Sequence, residues 1–92
     1  MRIVSNALFG APARAGARAR AAGAQAPTWR YRNVLRTPAD DGALMSPHEL
    51  DVALVFGNVD TAAGLNGGTA GARAVSRLLG AAWAAFARTG SP

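Results

Sequence analysis

The chain has 92 residues, a formal net charge of +5 and a pI near 11.6, and half of its residues are hydrophobic. It contains no cysteine, which excludes disulfides and thiolate metal sites, and its one histidine and five scattered carboxylates speak against metal catalysis or any metal cofactor. No apolar run approaches the ~20 residues needed to span a bilayer. Much of the hydrophobic fraction is alanine, and at roughly 25 cal/mol per Å² a chain this short barely offsets its own ordering entropy. Independent folding is therefore not expected. All ten basic residues are arginine, a bias that GC-rich coding explains better than affinity for nucleic acid.

Residues 5–24 read as a helix of alanine and arginine steps, with Ser5 as N-cap and Gly23 as C-cap. Gly10 and Pro12 predict a break within it, and Pro27 closes the element. This stretch belongs to residues 1–39, which are arginine-rich and free of acidic side chains, as organelle transit peptides are. Residues 28–35, with Trp29, Tyr31 and Val34, have the aromatic and β-branched content of a short strand. Residues 37–42 form a polar turn segment.

Ser46-Pro47-His48-Glu49 has the pattern of a helix start, with Ser46 as N-cap, Pro47 in the first helical position and Glu49 closing a capping box. Residues 46–57 are then a histidine loop and a short helix, stopped at Gly57-Asn58. The glycine-rich residues 61–68 are expected to be a mobile loop. The clearest element is an amphipathic helix over 69–88, where Val75, Leu78, Leu79, Ala82, Trp83 and Phe86 recur on one face. A lone strand leaves both edges unpaired, so the chain reads as a piece of something larger.

The residues around the histidine point further. His48-Glu49-Leu50-Asp51-Val52-Ala53-Leu54-Val55-Phe56-Gly57 resembles the segment around the catalytic histidine of the type-B carboxylesterases, the family that includes the cholinesterases. In that family an acidic residue follows three positions after the histidine, then an apolar-Val-Phe-Gly ending; His48, Asp51 and Val55-Phe56-Gly57 fall on those positions. Trp29-Arg30-Tyr31-Arg32 is similar to the family's Tyr-x-Tyr-Arg strand. Trp83, Phe86-Ala87, Thr89-Gly90 and Pro92 match its Trp-x-x-Phe-Ala-x-Thr-Gly-x-Pro signature, and Ser5 to Phe9, followed by Pro12, resembles the helical segment before the strand. Four landmarks in the right order cover nearly the whole chain. Two departures stand out: Glu49 occupies a position where the family often has glycine, and Asn33-Val34 stands where an aromatic residue is common.

The resemblance implies an α/β fold class, here the C-terminal piece of an α/β-hydrolase, mostly helical with one or two strands of an incomplete sheet. It implies a carboxylic ester hydrolase that works through a Ser-His-Glu/Asp triad. His48 is the expected general base and acid of that triad, and Asp51 is expected to support it through a hydrogen bond. No cofactor or metal is implied. None of Ser5, Ser46, Ser76 or Ser91 sits in the Gly-x-Ser-x-Gly elbow that presents the nucleophile. The triad acid and the oxyanion hole also lack counterparts, and Asp40 and Asp41 do not match the acid's position. The 92-residue fragment is therefore expected to be inactive alone. Its expected partners are the N-terminal remainder of the hydrolase and, in the whole enzyme, a small-molecule ester. The alternative is a basic helical nucleic-acid-binding or interaction module using Arg14, Arg18, Arg20, Arg30 and Arg32 on phosphates, but no nucleic-acid motif supports it.

Overall fold

A computed structural model describes residues 6–23 and 25–92, which belong to two compact units, Met1–Tyr31 and Arg32–Pro92. In the first unit a π-helical turn, Asn6–Gly10, leads into helix α1, Ala11–Gly23. Alanine and arginine are good helix formers. Pro12 falls in the first turn of α1, where its missing N–H would have had no intrahelical acceptor. The expected weakness near Gly10 and Pro12 thus takes the form of a wider turn just ahead of the α-helical ladder. Ser5, the expected N-cap, lies outside the described residues. No residue of α1 is buried, so this unit has no apolar core among the described residues.

Residues 28–35 form neither helix nor ladder-paired strand, and no strand occurs among the described residues. This corrects the expected α/β class, its one or two strands and its incomplete sheet: what the chain builds is helical. Aromatic and β-branched composition favours a pleated surface only where a second strand accepts the backbone hydrogen bonds. None does here, and Asn33 instead turns its side chain to its own backbone, its Oδ1 accepting from the Leu35 N–H at 3.1 Å.

The second unit holds a short 3-10 turn, Ala39–Gly42, and three α-helices: α2, Leu50–Val55; α3, Ala63–Asn66; and α4, Ala70–Thr89. Its core is small. Leu50 and Leu54, one turn apart on α2, are buried with Val59 and Ala72, and Leu35, Leu65, Val75 and Leu79 pack against them. On α4, Ala72, Val75, Ser76 and Leu79 follow the i, i+3, i+4, i+7 spacing and make the inward face. The buried Ser76 hydroxyl donates to the Leu54 carbonyl at 2.6 Å, satisfying an acceptor at the end of α2. Thr69 caps α4, its Oγ1 accepting from the Ala72 N–H at 3.0 Å, and Gly90 ends it at φ 78.

The expected apolar stripe of α4 is only partly used. Leu78 is 72% exposed, and Trp83 and Phe86 are also exposed. Leu78 lies off the inward face; for Trp83 and Phe86 length is the reason, since a six-residue helix spans about 9 Å and the twenty residues of α4 about 30 Å. A Cβ added at Gly80 would stand 3.3 Å from the Val55 carbonyl oxygen, so α2 ends against the middle of α4. Beyond that point Trp83 and Phe86 stack on each other edge to face, with ring centroids 6.3 Å apart.

The glycine-rich segment 61–68, expected to be a mobile loop, is packed. It contains α3, and Asn66 is buried, donating from Nδ2 to the Val59 carbonyl at 3.0 Å and accepting at Oδ1 from the Gly68 N–H at 2.7 Å. Gly67 takes φ 80, and a Cβ there would collide with the Pro38 ring. No helix among the described residues is long and apolar enough to cross a membrane.

Candidate functional site

His48 lies in the turn that delivers the chain into α2, and three devices position that turn. The first is the loop before it. The buried Thr37 donates its N–H to the Met45 carbonyl at 2.8 Å, closing residues 37–45 at their base. The Thr37 hydroxyl donates to the Leu65 carbonyl and accepts the Ala39 N–H at 3.1 Å, which ties this base to α3. Within the loop, Asp40, Asp41 and Met45 have positive φ values of 52, 51 and 57. Aspartate tolerates that region better than most residues, because its short side chain can bond locally.

The second device is Ser46, whose hydroxyl donates to the Asn33 carbonyl at 3.4 Å. The third is the turn itself, where the Leu50 N–H donates to the Pro47 carbonyl at 3.3 Å. The expected capping box does not form. Helix α2 begins at Leu50, Glu49 is the residue before it, and no side chain caps the start. Glu49 has φ 67 and ψ 2, a left-handed conformation, which is incompatible with the helical backbone that the third position of a capping box requires. Ser46 lies outside the helix, which begins at Leu50.

His48 and Glu49 are exposed, and Asp51, three residues after the histidine, is half-buried in the first turn of α2. A carboxylate at that end of a helix is favoured by the partial positive charge of the free N–H groups. The imidazole is thus presented to solvent at the mouth of a short helix whose opposite face, through Leu50 and Leu54, is locked into the core. Such a group is accessible to a partner brought to it.

Ser76 is buried and donates to Leu54, and Ser46 donates to Asn33, so neither hydroxyl is arranged as a nucleophile for the histidine. Asp40 and Asp41 stay in their own left-handed turn. No group of three or more histidine, cysteine, aspartate or glutamate side chains among the described residues could hold a metal ion. Thr37 and Asn66, which fix the loops beside the site, carry no catalytic signature in sequence. The Asn66-Gly67-Gly68 run was the available signal, since asparagine followed by glycines marks a tight turn with local side-chain bonding.

The large apolar residues of the histidine segment face outward as well. Phe56 is 75% exposed and Val52 53% exposed, on the same short helix whose leucines are sealed. No known protein family, curated protein or solved structure matches the chain.

Proposed function

We propose that this chain is the histidine-bearing C-terminal segment of a serine carboxylesterase of type B, with His48 as the general base of a Ser-His-Glu/Asp triad completed by residues outside these 92. The observation that carries the reading is the backbone at Glu49. The family that the sequence resembles often has glycine directly after its histidine, and here that position has φ 67, where glycine is the least strained residue. A left-handed backbone at position 49 is one that glycine adopts without strain, which supports the reading. Gly57, which ends the histidine segment, and Gly90, within the C-terminal signature, are also left-handed, with φ 72 and 78.

A second feature agrees with a part that docks onto a larger body. The core is four buried hydrophobic residues, while Trp29, Tyr31, Val52, Phe56, Leu78, Trp83 and Phe86 are all exposed. In the assembled enzyme His48 would take the proton of a serine hydroxyl as that oxygen attacks the ester carbonyl. It would then return a proton to the departing alkoxide. Asp51 would hold the histidine segment through a hydrogen bond. No cofactor enters this chemistry.

The test is to sequence the gene upstream of Met1 and express the longest open frame. The reading expects a Gly-x-Ser-x-Gly elbow there and a product that hydrolyses p-nitrophenyl esters, with His48→Ala lowering kcat by about 10³-fold or more. The 92-residue chain should give no turnover above its own His48→Ala control. Hydrolysis by the long form that survives His48→Ala, or an upstream frame without an elbow, overturns the assignment.

A further inference from the structure

The first unit carries a second constellation, independent of the esterase reading. Arg14, Ala17, Arg18 and Ala21 follow the i, i+3, i+4, i+7 spacing on α1 and so share one face. After α1 the chain returns to that face: Thr28 and Arg30 line the same cleft, of about 190 Å³, and Trp29 between them does not. The small side chains of Ala17 and Ala21 leave room between the arginines. That room corresponds to about six water molecules at ~30 Å³ each.

We infer that this cleft binds a phosphate-class oxyanion, namely inorganic phosphate or the terminal group of a small phosphate monoester. Two observations carry it. Arg14, Arg18 and Arg30 line one small space, and residues 1–39 contain no carboxylate side chain to balance Arg18 and Arg30. Neither Arg18 nor Arg30 makes a salt bridge with a described residue, the ion pair of the second unit being Arg73 with Asp60. Independently, the Thr28 hydroxyl oxygen is shielded from solvent and has no hydrogen-bond partner. A shielded polar group normally has one, and its lack marks a place where a partner belongs.

Phosphate fits both observations. Its oxygens accept in the parallel pairs that the planar arginine fork donates, and they also accept from a hydroxyl. The arginines converge on one cleft instead of lying along a track, which favours a single phosphate group over a nucleic-acid duplex. The adjacent Arg20 on α1 is exposed and does not line the cleft.

The experiment is calorimetric titration of the full 92-residue chain at low salt with inorganic phosphate, with O-phosphoserine and with a short DNA duplex. One saturable site is expected for phosphate or phosphoserine, the tighter of the two identifying the source. Arg18→Gln should weaken it about tenfold or more, as loss of a charge-assisted hydrogen bond implies. Thr28→Val should weaken it several-fold, whereas Arg77→Gln on α4, with the same loss of charge, should leave it unchanged. Arg18→Lys keeps the charge and removes the fork, so it reads the site even if the glutamine variant loses helicity by circular dichroism; a several-fold loss is expected. The inference is overturned by an absence of saturable binding, by equal weakening in Arg77→Gln, or by duplex binding that phosphate does not compete away. Failure of the esterase assay leaves this result untouched, and the converse also holds.

Discussion

Replacing Glu49 with glycine tests the backbone on which the functional reading depends. A residue with a Cβ held at φ 67 carries roughly 1–2 kcal/mol of steric cost relative to the right-handed region. Glycine removes that cost but loses more freedom on folding, by about 0.4–1 kcal/mol. The difference favours Glu49→Gly by about 0.5–1 kcal/mol. For a domain of this size, 1 kcal/mol moves the midpoint by about 4–8 °C, so a rise of about 2–8 °C in Tm is expected, with a matching increase in urea midpoint. Two controls isolate the cause. Glu49→Ala removes the carboxylate and keeps the Cβ, so it should stay within about 0.5 kcal/mol of the parent. Ala81→Gly, at an exposed position inside α4, should destabilise by about 1 kcal/mol. Opposite signs for the two glycine substitutions are the signature. If Glu49→Gly lowers the urea midpoint as Ala81→Gly does, position 49 is not left-handed in solution and the main support for the esterase reading is gone.

Leu54→Ala, at a fully buried position in a core of four residues, should cost about 2–5 kcal/mol and abolish cooperative unfolding of the second unit by circular dichroism. Gly67→Ala meets both an unfavourable φ and the Pro38 ring, so a loss above about 1 kcal/mol is expected in urea titration. Ser76→Ala removes one of two donors to the Leu54 carbonyl, which keeps the Gly57 N–H at 3.3 Å, and should cost about 0.5–1.5 kcal/mol by the same assay. Arg73→Ala breaks an exposed pair with Asp60, and its midpoint should move by less than about 1 kcal/mol.

Local signals in the chain identify some elements well. Thr69 ahead of an alanine-rich amphipathic run and Gly90 behind it mark the ends of α4, because capping chemistry acts within a few residues of its cause. The same reasoning misjudged Ser46 and Glu49. Their spacing suits a capping box, but Ser46 is taken by the Asn33 carbonyl, thirteen residues away, and a distant partner cannot be read from a four-residue pattern. The 61–68 segment was misjudged for a related reason. Its glycines suggest mobility, whereas Asn66, Thr37 and Pro38 supply buried bonds and a close approach that only the folded chain brings together.

The position of His48 in an acid-bearing apolar segment was legible from its neighbours alone, as were the absence of an elbow serine and the lack of thiol ligands. Sequence patterns of this kind report chemistry and local propensity, because each residue carries its own functional group and backbone preference. Tertiary structure decided three further matters: that 28–35 does not form a strand, the left-handed turn at Glu49, and the convergence of Arg14, Arg18 and Arg30 on one cleft. The shared physical reason is that pairing, strain and convergence are relations between separate parts of the chain. Each is settled by which partners are within reach once the backbone has folded.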